Sequence, residues 1–306
     1  GTTYVLMPSF YIGCTYVRVG KFGPKLILET IERERVSILF LSTPMLMSLL
    51  EYPNIVKYDI SSLRLVSYAG AIMPVEVVKK AIKLLGSKLI QTYGMAEHRP
   101  ITFFPSEDYA DIIAGPPEGS KKLASCGRES INAKVRVVNE YGKDAALGEI
   151  GEIIVTGDEL MKGYWRMPEV TAETIKGGYL YTGDMGTMDE DGYVYISDRK
   201  KDMIVTGGKR VFPREVEEMI YTHPSVLDVA VIGLPDEKLG ESVKAVVVLK
   251  EAKSATETEI VELCKQNLVD YAVPHSVDFV AELPGNPTHK ILRRALREKY
   301  SQARRS

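Results

Sequence analysis

The sequence predicts an α/β protein of three units: a mostly parallel α/β sheet over residues 1–115, a small antiparallel β unit over residues 116–200, and an α+β unit over residues 201–306. Three observations carry this. Strand-like apolar runs alternate with amphipathic helical ones between residues 36 and 93. From about Pro116 the pattern changes to short β segments broken by glycine. After the charged run at residues 198–202 a new mixture of helices and strands begins.

In the first unit, VSILFL (36–41) reads as a strand and is followed by a helix opened by Pro44. LRLVSYA (63–69), a helix over 74–85 and KLIQTY (88–93) complete a βαβαβ order. Such an order implies a ligand crevice at the carboxyl ends of the strands. Two turn sequences stand at such ends, Tyr68-Ala69-Gly70-Ala71 and Tyr93-Gly94-Met95-Ala96-Glu97. The opening GTTYVLMPSF reads like a strand cut from a larger sheet and carries no signal-peptide pattern.

In the second unit, AKVRVVN (133–139), GEIIVTG (151–157) and GYVYISD (192–198) predict a small antiparallel sheet or barrel. The boundary to the third unit is placed at Lys200 and Lys201. Residues 213–223 then predict a helix, with Pro213 in its first turn and Glu215, Glu217 and Glu218 near its positive end. DVAVIGLP (228–235) and SVKAVVVLK (242–250) predict strands, 257–267 a helix, and 289–300 a basic helix.

Composition excludes several function classes. The chain has 306 residues, 45% of them hydrophobic and 26% charged, enough apolar material for more than one core. A formal charge of -2 provides no general field for nucleic acid or anionic lipid. The longest apolar stretch, residues 36–50, is interrupted by Ser42, Thr43 and Pro44 and falls short of the roughly 20 residues of a membrane span. Cys14, Cys126 and Cys264 are scattered and in no metal-ligand spacing, which fits a reducing cytoplasm.

The chemistry lies in an ordered set of motifs. They are Tyr93-Gly94-Met95-Ala96-Glu97, Gly148-Glu149-Ile150-Gly151-Glu152, Lys162-Gly163-Tyr164-Trp165, Tyr181-Thr182-Gly183-Asp184, Asp198-Arg199-Lys200-Lys201-Asp202 with Gly207-Gly208, and Lys290 within NPTHKILRRALR. Singly, each has an ordinary explanation. Tyr93 reads as core, Glu97 and Asp184 as cap or turn acids, residues 199–201 as a solvated charge run, and Lys290 as a surface lysine. Together, in this order and spacing, they resemble the adenylate-forming superfamily, which includes acyl-CoA synthetases, luciferases and peptide-synthetase adenylation domains.

That resemblance implies a carboxylic acid:CoA ligase that uses ATP, Mg2+ and coenzyme A and forms an acyl-adenylate. A carboxylate attacking the α-phosphorus of ATP brings two anions together, so cations and preorganised donors are needed around the phosphoryl group. By resemblance, Glu97 holds Mg2+ near the phosphates and Lys290 delivers positive charge to the carboxylate and α-phosphate. Asp184 and Arg199 reach the ribose, with Asp184 expected in a tight loop after Gly183. Tyr93 and Gly94-Met95-Ala96 form the adenine and phosphate wall, and Gly70-Ala71-Ile72 lets backbone approach the ring edge. Lys201 corresponds to the hinge of a mobile C-terminal domain, and Gly207 and Gly208 to the loop brought to the pantetheine tunnel.

The sequence also departs from the family pattern. The glycine- and Ser/Thr-rich phosphate loop expected upstream is not found in these residues, so the first unit is expected to be the remainder of a larger domain and the chain alone inactive. Ala96 replaces the usual Thr, and His289 the usual Gly before the lysine. Residues 67–74 and the Lys290-Ile291-Leu292-Arg293-Arg294 tail look most like fatty-acid CoA ligases, and Ala124-Ser125-Cys126-Gly127 resembles a segment near the acyl tunnel. Aryl-acid ligases, a non-catalytic AMP or acyl-adenylate binding module, and a peptide-synthetase adenylation domain are the alternatives. The fragment is also expected either to self-associate through residues 1–115 or to be mobile there, because an open sheet exposes an edge and an uncovered apolar face.

Overall fold

The computed structural model describes residues 6–285 and 291–303. After α1 (Met7–Tyr11), helix α2 (Pro24–Glu34) starts on proline, whose missing N–H costs nothing at a first helical position. It buries Ile27, Leu28 and Ile31 along one stripe. The expected βαβαβ order follows as β1 (Ile38–Ser42), α3 (Thr43–Leu50), β2 (Leu65–Ala69), α4 (Val75–Leu85) and β3 (Leu89–Met95). These three strands pair in parallel.

The chain then reverses at Ala96 and Glu97, and β4 (His98–Phe104) runs antiparallel to β3. After α5 (Ser106–Ala114), the short β5 (Arg128–Glu129) completes a five-stranded sheet of order β1-β2-β3-β4-β5. Leu28, Ile31, Leu46, Val66, Leu89 and Phe104 fill the core beneath it. The buried Tyr68 hydroxyl donates to Gln91 and shares a 2.8 Å hydrogen bond with the Tyr109 hydroxyl, so these core phenols are satisfied.

The second sheet is antiparallel, as the short glycine-broken segments implied. It comprises β6 (Ala133–Val138), β7 (Gly151–Gly157), β8 (Ile175–Lys176), β9 (Tyr179–Met188) and β10 (Val194–Arg199), with α6 (Pro168–Thr174) between β7 and β8. Its order is β10-β9-β7-β6, and β8 pairs with β9. Ile153, Val155, Leu180 and Val194 share one core with Ile101 of β4 and Cys126, so the first two sheets are packed together. Backbone bonds reinforce the joint: Cys126 N–H donates to Val194 O at 2.8 Å and Val194 N–H to Gly127 O at 2.9 Å.

The third sheet begins beyond a turn at residues 200–203, closed by Asp202 and Met203 N–H groups donating to Arg199 O. It contains β11 (Ile204–Thr206), β12 (Lys209–Val211), β13 (Val226–Asp236), β14 (Gly240–Leu249) and β15 (Ser276–Phe279), with helices α7 (Pro213–Tyr221), α8 (Glu257–Asn267) and α9 (Arg293–Ala303). Val229, Val231, Val243 and Val247 pack toward α7 and α8, while Ala230, Ile232, Leu234 and Val246 pack with Leu296 of α9. Burial on both faces explains why these strands read as continuous apolar runs rather than alternating ones. Thr256 and Glu259 form a reciprocal capping box at the start of α8. Among the described residues no helix is long and apolar enough to cross a membrane.

Gly127 is a sharp constraint on this assembly. Its φ is +86° and a Cβ built there would lie 1.8 Å from Phe103 O. We expect Gly127→Ala to destabilise the first two sheets by at least about 2 kcal/mol, read as a lower denaturant midpoint. A wild-type midpoint would show that the joint between β4 and β10 yields easily.

Candidate active site

The carboxyl end of β3 meets the second sheet through one side chain. Tyr93 is half-buried, packs beside Ile72 and Met95 against the second-sheet core, and its hydroxyl donates to Asp184 Oδ2 at 2.7 Å. The other oxygen, Oδ1, lies 3.0 Å from Arg199 Nε. Asp184 and Arg199 are directly opposed in the β9-β10 register, which brings the two side chains together. Asp184 is only 4% exposed, so its charge is held by an ion pair and a phenol rather than by water. Burial, the negative charge of Asp184 and the hydrogen bond to it push the Tyr93 phenol well above its ordinary value.

Asp184 does not lie in the expected tight loop. It sits inside β9, where burial alternates along the strand. Gly183 takes a left-handed φ of +71°, but neighbours absorb the irregularity: Lys200 N–H donates to Gly183 O at 2.8 Å and Gly183 N–H to Glu152 Oε1 at 3.2 Å. Thr182 completes the support. Its Oγ1 accepts the Asp184 N–H at 3.0 Å and donates to Ile153 O at 2.6 Å. The Tyr-Thr-Gly-Asp motif contained this threonine, but the position alone did not distinguish it from a turn residue.

Glu97 occupies the β3-β4 reversal, half-buried, and its Oε1 accepts the Tyr164 hydroxyl at 2.7 Å. Met161 N–H donates to Glu97 O at 2.8 Å, so the segment leading into the Lys162-Gly163-Tyr164-Trp165 motif is fastened to the same turn. The hydrogen bond to Glu97, then burial, raises the Tyr164 phenol. Gly94 is tight, with Arg99 Cγ and His98 O each 3.3 Å from a built Cβ, and Ala96 is exposed. Gly70, at φ +93°, opens the loop after β2, and Thr43 Oγ1 donates to Ala71 O at 2.7 Å. Thr43 and Tyr164 are site-side residues to which sequence reasoning assigned no role.

Other expected residues stand elsewhere. Gly207 and Gly208 form the β11-β12 turn with φ values of +54° and +75°, Gly207 N–H donating to Leu239 O. Among the described residues no hydrogen bond joins them to Tyr93, Asp184 or Arg199. Lys201 is exposed in the turn between the second and third sheets. Lys290 and His289 lie outside the described residues.

The donor set bears on a metal. Among the described residues no group of three or more His, Cys, Asp or Glu side chains is arranged to hold an ion. Mg2+ commonly binds through one or two carboxylates together with substrate phosphates, an arrangement a single acid such as Glu97 fits.

Residues 1–165 match the AMP-binding enzyme family, and residues 215–290 match the AMP-binding enzyme C-terminal domain. The chain belongs to the AMP-binding enzyme family. Among its relatives, a long-chain-fatty-acid–CoA ligase of Bacillus subtilis is 39% identical over 99% of this chain and 52% of its own length. A feruloyl-CoA synthase from Streptomyces is 35% identical over 97% of this chain and 58% of its own length. The ATP-bound MatB of Rhodopseudomonas palustris superposes with a TM-score of 0.88 at 31% identity, covering 99% of this chain and 59% of that one. The chain thus spans about half the length of the curated relatives it matches. In this AMP-binding chain the buried acid, its arginine and its tyrosine come from motifs 91 residues apart for Tyr93 and Asp184.

Asp184 uses one hydrogen-bonding direction on each oxygen, and a carboxylate has about four, so acceptor capacity remains for ligand hydroxyls. We expect Asp184→Ala to weaken AMP binding by about one to two orders of magnitude in isothermal titration, the loss of charge-assisted hydrogen bonds. Unchanged affinity would leave Asp184 a structural partner of Tyr93 and Arg199 only.

Proposed function

We propose that the chain belongs to an ATP- and Mg2+-dependent carboxylic acid:CoA ligase that works through an acyl-adenylate, releases AMP and acts on a fatty acid. The buried Asp184 with its half-buried partners Tyr93 and Arg199 carries this proposal. It supplies a fixed carboxylate for ribose hydroxyls near the loop at residues 70–72, whose Ile72 packs against the same core as Tyr93 and whose Gly70 has open space on its Cβ side. The fatty-acid choice is supported by the 39% identity to a long-chain-fatty-acid–CoA ligase. An aryl acid is the second reading, supported by the 35% identity to a feruloyl-CoA synthase.

Each group then has a physical role. Asp184 orients the ribose, and Arg199, paired with that carboxylate at 3.0 Å, holds it in place. Glu97, steadied by Tyr164, would hold Mg2+, which offsets phosphate charge when bound. Gly94, Met95 and Ala96 form the wall between the base and the phosphates. Lys290 would bring its ammonium to the reacting carboxylate and α-phosphate. Gly207 and Gly208 would serve the pantetheine arm of coenzyme A after rotation about Lys201.

We propose domains over residues 1–115, 116–200 and 201–306. The change of sheet in the turn at 200–203 supports the second boundary, whereas β5 joins the first sheet from beyond the first. A cytoplasmic location is supported by three unpaired cysteines. In the full-length enzyme, Lys290→Ala should reduce acyl-adenylate formation by orders of magnitude and spare thioester formation from supplied acyl-adenylate. Equal loss of both steps would contradict the assigned role.

We further propose that the chain self-associates through α1 and the β1 edge. Phe10, Tyr11 and Ile12 at α1 and Ile38 at β1 are exposed, Tyr11 at 92%, and among the described residues β1 pairs with β2 alone. Light scattering across a concentration series should give a mass above 34.0 kDa. A constant monomer mass would rule this out.

A further inference from the structure

Asp198 begins the charged run at the end of β10, and the site above leaves it without a role. It is 6% exposed and both its oxygens are occupied. Oδ1 accepts the Arg199 N–H at 2.7 Å, and Oδ2 accepts the Arg214 N–H at 3.0 Å. Arg214 lies in the first turn of α7, in the third sheet's body. That helix has no side-chain cap of its own: Phe212 stands at the N-cap position and Pro213 has no N–H. Asp198 is therefore a cap supplied from a different sheet, with its charge favourably placed at the helix's positive end.

The contact is reciprocal. The Arg214 guanidinium donates back to Ile196 O and, at 3.3 Å, to Ala124 O. A register irregularity between Ile196 and Asp198 lies at this point, the kind of feature that re-aims strand side chains. Neighbouring charges are also paired: Arg293 Nη2 reaches both Glu217 oxygens at 2.7 Å, and Arg297 Nη1 reaches Asp202 Oδ1 at 3.0 Å. The clamp spans the turn at 200–203, so the third sheet cannot reorient about that turn without releasing it.

We propose that Asp198 is a positioning residue for the nucleotide site, fixing the backbone from which Arg199 reaches Asp184 and coupling nucleotide occupancy to the attachment of α7. This deepens the nucleotide assignment and rests on it. A bond network shared by Arg199 and Arg214 makes the coupling mutual: a nucleotide that orders Arg199 stabilises the clamp, and the clamp favours the nucleotide to the same degree.

Hydrogen exchange resolved to short peptides, with and without AMP, tests this on the whole chain as wild type, Asp198→Ala and Asp198→Asn, with melting curves to verify folding. Without nucleotide, Asp198→Ala should speed exchange at residues 199 and 214 by about tenfold, and Asp198→Asn, which keeps one carbonyl oxygen, should restore part of the protection. AMP should slow exchange in the first turn of α7 in the wild type, whereas Asp198→Ala should bind AMP about tenfold more weakly and fail to transmit that protection. Unchanged AMP affinity in a folded Asp198→Ala, or α7 responding equally in both proteins, would reduce Asp198 to an ordinary helix cap and overturn the proposal. Should Asp198→Ala not fold, the same comparison is read from Asp198→Asn. Absence of AMP binding by the wild type would instead overturn the nucleotide assignment and the coupling built on it, while an unchanged residue 214 amide in Asp198→Ala would overturn the cap itself.

Discussion

A carboxylate at 4% exposure has to be paired, and Asp184 is paired twice, with the Tyr93 hydroxyl and the Arg199 guanidinium. Those two partners come from different places. Tyr93 ends the parallel part of the first sheet, and Arg199 ends the last strand of the second, one turn before the third. One buried charge thus ties the end of β3 to the β9-β10 ladder and fixes the side chain from which the chain departs into its final body. Removing either partner would leave a buried charge under-compensated, a far larger penalty than the pair's net contribution to stability.

Much of the architecture was legible because periodicity and punctuation agree. Pro44, Pro74 and Pro213 mark helix starts within a residue or two, and the βαβαβ alternation gave the parallel order β1-β2-β3. The turn after β3 was legible in Tyr93-Gly94-Met95-Ala96-Glu97, but its reversal of the chain into the antiparallel β4 was not; the bonds that fasten it come from Met161 and Tyr164 far along the chain. Asp184 was misplaced into a loop for the opposite reason. Gly183 announces a turn, but flanking strands on both sides keep β9 continuous.

The same contrast holds at the site. The acid, arginine and tyrosine that come together all stood in the ordered motifs, whereas their mutual contacts depend on register. A one-residue slip of β10 against β9 would turn Arg199 to the opposite face from Asp184. The roles of Thr182, Tyr164 and Thr43 required tertiary proximity. Asp198 is the clearest case, because its partner helix begins 15 residues later in another sheet and only the folded geometry joins them.

Tyr93, Asp184 and Arg199 are proposed to act as one unit on the nucleotide. AMP affinity measured for Tyr93→Phe, Arg199→Ala, Asp184→Ala and the doubles with Asp184→Ala tests it most directly. If all act through one carboxylate, adding either partner substitution to Asp184→Ala should change affinity by less than about 0.5 kcal/mol. Full additivity of the losses would show three independent contributions and contradict the account.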